Sequence, residues 1–215
     1  MILVWLIRKT SSELKIVLAT LAVLIFLPAI TVVVIAASGV QLVGDALAAL
    51  NPITHLVEIF DTDGNVIGEV ELTTNWPAQG YVTDEFGSNQ QFRRDWGLGT
   101  HTGIDVSNGI GTPITPFMKG TVIYVDIVDD SACGMGVKLQ HEFNVTSLYC
   151  HMSEVVNLAP TTPVEPGDVI GYIGSTGAST GPHVHLSTYI YGIAINPRTF
   201  LVGEPEVPSV AVPTF

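Results

Sequence analysis

Four histidines and one aspartate in the second half of the chain have the types and spacing to do chemistry. His101 and Asp105 lie in HTGID, His151 in LYCHMS, and His183 and His185 in GPHVH. Side chains two apart along a strand share a face, so His183 and His185 can look into one site. His101 and Asp105 can do the same if that stretch is extended. Imidazole and carboxylate are favoured zinc ligands, and three protein ligands with an open fourth position mark a catalytic metal site rather than a structural one. Five candidates for three places leave two histidines free to work on a substrate. The sequence contains no His-Glu-x-x-His, so the glutamate base of helical zinc proteases is missing, and proton transfer falls to the spare histidines.

The order of these residues carries a resemblance. From about Gly80 to Phe200 the chain resembles the lysostaphin/LytM-type zinc endopeptidases of bacterial cell-wall peptidoglycan. That family's pattern is His-x-x-x-Asp, then a lone His closing a strand, then His-x-His after a Ser-Thr-Gly-rich turn. Here it reads HTGIDV, SLYCHMS and GSTGASTGPHVHLS, with further matches in GTPITPFMKGTVIYV, VEPGDVIGYIGSTG and INP. The resemblance implies one zinc ion held by His101, Asp105 and His185, with His151 and His183 beside the open coordination position. It also implies a peptide bond in a peptidoglycan cross-link or stem as substrate. Some relatives carry a tyrosine a few residues before the first zinc histidine, whereas Asp95 and Trp96 stand in that region here.

Two rival readings compete. A non-catalytic relative that scaffolds or activates other cell-wall hydrolases would typically lack zinc ligands, and all five positions are filled. A biotinyl- or lipoyl-like carrier would account for GTPITPFMKGTV and VEPGDVIGYIG, with Met118-Lys119 resembling its modified lysine, but leaves the histidines unexplained.

The elements that must position these residues are short strands. Val, Ile, Thr and Tyr runs between Gly, Pro, Asn and Asp punctuation predict strands over 121–128, 137–142, 146–151, 169–173 and 183–191. With no convincing long helix, the expected class is all-β, an antiparallel β-sandwich or open barrel. His141 follows Val137 and Leu139 on one face and is expected to serve the core or to stand behind the ligands. Tyr149 and Ser147 share strand parity with His151, so they are expected either to line the cleft or to pack. Gly171, Gly174, Gly177 and Gly181 read as tight turns feeding the histidine strand, since no Lys-Ser or Lys-Thr follows to complete a phosphate loop. Strands 137–142 and 146–151 would form a hairpin that brings Cys150 within disulfide reach of Cys133.

Ahead of this region, His55 to Leu72 alternates around Asp-Gly-Asn and predicts a β-hairpin. DTDGN is not a calcium loop, because Val66 and Leu72 stand where that loop needs Gly and Glu. The uncharged run Ile16 to Ala37 is long enough to cross a bilayer core, which takes ~20 residues. Arg8, Lys9 and Lys15 precede it and no cation follows until Arg93, which predicts a single-pass membrane anchor with a cytoplasmic N-terminus and the catalytic part outside. The alternative is a secreted protein whose signal is cleaved near Ala36–Gly39. Net charge is −12, with 20 acidic residues against 8 Lys plus Arg, so nothing in the chain suits nucleic acid. The expected organisation is a cytoplasmic start and anchor over 1–45 and a connector with a hairpin over 46–79, with GDALAAL able to continue as helix. The zinc endopeptidase domain follows over 80–201, and a loose Pro-rich tail over 202–215.

Overall fold

The structure, a computed structural model, describes Gly44 and residues 46–207. The expected membrane anchor lies outside these residues. Among the described residues no helix is long and apolar enough to cross a membrane.

Among the described residues, fourteen strands carry the fold. The first three, β1 (Ala48–Leu50), β2 (Leu56–Phe60) and β3 (Val66–Glu71), make a small antiparallel sheet. β2 and β3 are the hairpin expected from alternation, and Gly64, at φ 84°, takes the left-handed position in its turn. The helix expected through GDALAAL stops short: Ala46 and Leu47 are helical, but Ala48 already pairs with Ile59. Asn51 causes the change, because its side-chain oxygen accepts from the Ile53 and Thr54 amides and turns the chain back onto β2.

The main sheet uses β4 (Tyr81–Asp84), β5 (Ile104–Ser107), β7 (Gly120–Asp126), β8 (Gly136–Gln140), β9 (Val145–Cys150), β11 (Pro163–Val164), β13 (His183–Ile190) and β14 (Ile193–Ile195). Its order is β11-β7-β8-β9-β13-β5-β4, with β14 extending the far end of β13. A second small sheet joins β6 (Pro113–Ile114), β10 (Met152–Val155) and β12 (Gly171–Ile173) in the order β10-β12-β6. One short helix, α1 (Gln91–Asp95), lies between β4 and β5.

Alternation decides which face is which. Ile104 and Val106 on β5, Val184 and Leu186 on β13, Val145 and Tyr149 on β9, and Val137 and Leu139 on β8 are fully buried. They join Ile114, Met152 and Ile173 of the small sheet in one core. Each such apolar side chain contributes about 1.5–3 kcal/mol on burial. The residues between them, Asp105, His185 and Cys150, are left for the opposite face. The expected loose tail is partly held: Trp76 Nε1 donates to the Val202 carbonyl at 3.2 Å, Gly80 N donates to the Glu206 carbonyl at 2.9 Å, and Pro205 is buried.

Candidate metal centre

The site is a row across three adjacent strands. His185 on β13 pairs with Asp105 on β5 to one side and with Cys150 on β9 to the other. His101 enters from the loop before β5, pinned by its amide donating to the Ser88 carbonyl at 2.9 Å.

Three atoms converge there. Asp105 Oδ1 lies 3.0 Å from His101 Nε2 and 2.8 Å from His185 Nδ1, and those two nitrogens are 2.9 Å apart. The donor chemistry fits a cation. His101 Nδ1 lies 2.9 Å from the Glu85 carbonyl, which can only accept, so the proton sits on Nδ1 and the Nε2 lone pair faces inward. His185 holds Ser187 Oγ at 2.7 Å with its other nitrogen. The atom separations are slightly under the ~3.3 Å edge of a tetrahedron built on 2.0–2.1 Å bonds, so a zinc-sized ion fits with small adjustment. Burial alone would raise the Asp105 pKa, but contact with the His101 and His185 rings holds it well below the usual carboxylate range. Burial pushes His185 down, against the attraction of Asp105. An anion and two neutral imidazoles are the forms in which these groups bind a metal.

The other two histidines flank this cluster. The His151 ring lies 4.7 Å from that of His183 and 5.9 Å from that of His185, centre to centre. Each donates its Nδ1 proton to a carbonyl, His151 to Thr176 at 2.8 Å and His183 to Gly181 at 2.7 Å. The Nε2 lone pairs are thereby left for the site. Burial first, then the neighbouring His183 and His185, lowers the His151 pKa to about 4.

His151 breaks the alternation that governs the rest of β9. Its φ is +65°, so its side chain turns out of the strand pattern and faces the site. Parity with Ser147 and Tyr149 therefore misleads, and of the two roles left open for them, cleft lining or packing, the structure shows packing. Both are fully buried in the core, where the Tyr149 hydroxyl accepts from the Phe117 amide at 3.1 Å and burial raises its pKa to about 12. Leu148 and Cys150 line the cleft instead. His141 is likewise away from the metal centre. Its Nδ1 donates to the Lys119 carbonyl and its Nε2 accepts from Ser147 Oγ, both at 2.7 Å. Cys133 and Cys150 are joined by a disulfide whose Cα atoms are 4.9 Å apart, and the Cys133 carbonyl accepts from the His151 amide at 2.9 Å.

Sequence reasoning missed Asp84, Arg93 and Ser187. Ser187 was readable, two residues past His185 on the same face. Asp84 Oδ2 lies 3.3 Å from His101 Nδ1 and 3.4 Å from Arg93 Nε, a contact made only when β4 pairs with β5 and α1 folds over it. The sole hint was the scarcity of cations. Asp95 and Trp96 are not among the residues lining the cleft; Arg93, on the same short helix, is.

The buried His101, Asp105 and His185 could together hold one metal ion, with two further histidines beside them. Residues 99–197 match the model of Peptidase family M23. Over 107 residues, half of this chain, the sequence is 36% identical to the DD-carboxypeptidase/endopeptidase Mpg of Neisseria meningitidis serogroup B, covering 24% of that protein. Over 96 residues it is 31% identical to the peptidoglycan DD-endopeptidase ShyA of Vibrio cholerae, covering 45% of this chain and 22% of that one. The chain thus spans about a quarter of the length of the curated relatives it matches. Among solved structures, the antimicrobial peptidase lysostaphin from Staphylococcus simulans superimposes with a TM-score of 0.52 at 25% identity, covering 66% of this chain and 60% of that one. Family match, relatives and structural likeness together support an M23-type peptidase domain here.

Proposed function

We propose that this domain is a zinc-dependent endopeptidase that hydrolyses peptide bonds in the cross-links or stems of bacterial peptidoglycan. The observation that carries the reading is the convergence of His101 Nε2, Asp105 Oδ1 and His185 Nδ1 within 3.0 Å of one another, beside two histidines whose lone pairs face the same space. His101, Asp105 and His185 hold the zinc. Zinc bound there supplies a Lewis acid for the scissile carbonyl and lowers the pKa of a coordinated water toward ~7. His151, kept neutral by burial and fixed in one tautomer by the Thr176 carbonyl, accepts a proton through Nε2. Once Nε2 carries that proton it can donate to the carbonyl oxygen and then pass the proton to the leaving amine, a role open to His183 only when its own Nε2 is protonated. The name of the Vibrio cholerae relative supports peptidoglycan as the substrate class. The Ile16–Ala37 run and the basic residues before it support an anchor that holds the domain outside the cytoplasm.

Metal analysis with digestion of purified sacculi tests the reading. About one zinc per chain is expected, lost in His101→Ala, Asp105→Ala and His185→Ala, with peptide fragments released only by the loaded protein. Fully loaded protein that leaves sacculi of several bridge types intact would favour the scaffold reading instead.

A further inference from the structure

We propose that Arg93 is the carboxylate-recognition residue of the cleft, so that the preferred peptide carries a free carboxylate next to the bond that is cut. This rests on the peptidase reading above and names its substrate more closely.

The guanidinium of Arg93 is oddly placed for a structural ion pair. The residue is 9% exposed, and arginine is rarely that deep unless its donors are matched. Its Nε reaches Asp84 Oδ2 at 3.4 Å, while Nη2 stands 3.9 Å from Asp105 Oδ2, an ion-pair distance too long for a hydrogen bond. Both terminal nitrogens are therefore without a hydrogen-bond partner among the described residues. Asp105 is engaged through Oδ1 with the two histidines and does not fill the fork. The centre of the Phe92 ring lies 5.4 Å from the guanidinium carbon, within cation–π range.

The fork opens on the space where the chemistry would occur. Arg93 lines the same cleft as His151 and His185, and among the described residues no lysine or second arginine lines it. The cleft on this side of the site holds about 200 Å³. A planar fork whose two terminal nitrogens are unmatched is the geometry that takes a carboxylate with two parallel bonds. The chain as a whole carries a net charge of −12, so an anionic peptide has little else near this site to favour it. The carboxylate has two sources, the C-terminus of the residue that leaves or an acidic side chain of the stem.

Turnover by the full-length, zinc-loaded protein on three versions of one stem peptide tests this. One version has a free C-terminus, one a C-terminal amide, and one a C-terminal amide with an acidic side chain beside the cut bond. Wild type is expected to prefer a carboxylate over the plain amide by about 10- to 100-fold, mostly in KM, as a charge-assisted bond of this kind supplies. Arg93→Gln should erase the preference while keeping its zinc, and Arg93→Lys should restore part of it. The third peptide tells the two sources apart. Equal turnover of all three peptides by wild type, or an equal loss on all three in Arg93→Gln, would overturn the proposal and leave Arg93 a support for Asp105. If no peptide is cut, the peptidase reading fails. Titration with the same three peptides then decides about Arg93: binding that needs both the carboxylate and Arg93 upholds its role, and binding indifferent to either refutes it.

Discussion

Acid should destabilise this domain through His141, a residue with no part in the metal centre. Its ring is wedged between β8 and β9, donating to the Lys119 carbonyl and accepting from Ser147, with the Phe117 ring edge-on at 5.3 Å. Burial lowers its pKa from 6.5 to about 4, the hydrogen bond to Lys119 only partly offsetting this. The unfolded chain then takes up this proton near 6.5, while the folded chain resists until about 4. Between those values the unfolded state binds more protons, so stability falls as pH falls, and the loss is complete below about 4. At 1.36 kcal/mol per unit the whole effect is about 3 kcal/mol, of which about 2 kcal/mol falls between pH 7 and 4.5. Urea unfolding of wild type and His141→Gln at both pH values isolates this residue from the other histidines. The variant should be less stable by about 1–2 kcal/mol at pH 7, having lost its hydrogen bonds. Its deficit should shrink or reverse by about 2 kcal/mol at pH 4.5. A deficit of the same size at both pH values would refute the reasoning.

His151→Asn, which tolerates the positive φ of that position, and His183→Ala should keep zinc but lose about 10²- to 10⁴-fold in turnover, read by metal analysis beside peptide kinetics. Reducing the Cys133–Cys150 bond opens a link spanning 17 residues and should lower stability by about 3 kcal/mol on the chain-entropy model, measured by denaturation with and without reductant. Gly103→Ala would place a methyl against the Leu186 backbone carbonyl, 2.6 Å from His185 Cε1 and 2.8 Å from its Nε2, so that β13 and His185 must shift and weakened zinc affinity is expected in a chelator competition. Unchanged affinity would show that His185 can shift without loss.

Much of the architecture was legible because period-two patterns report which face is buried. Val184 and Leu186 inward with His183 and His185 outward follows from sequence, as does the pairing of β2 with β3. Strand ends did not, since Tyr191 leaves β13 at φ 51° and nothing in its side chain announces that. The ordered histidines and Asp105 were visible as a set, but their partners were not. Asp84 and Arg93 reach the site through pairing of β4 with β5 and through the fold of α1, contacts that no local spacing encodes. Tyr149 could not be assigned between cleft and core from sequence, because strand parity with His151 breaks at a backbone turn that only the three-dimensional structure reveals.

The cross-strand row of Asp105, His185 and Cys150 also bears on how the chain selects its own pairing. Sliding β13 by one residue past β5 and β9 would turn His183 and His185 into the core and Val184 and Leu186 out to water. Such a misaligned sheet would lose the apolar core and the ligand cluster together. A metal that binds only the aligned sheet would therefore act as a proofreading device during folding. It would draw the population toward that alignment by its own binding free energy and hold the middle three strands as a single cooperative unit.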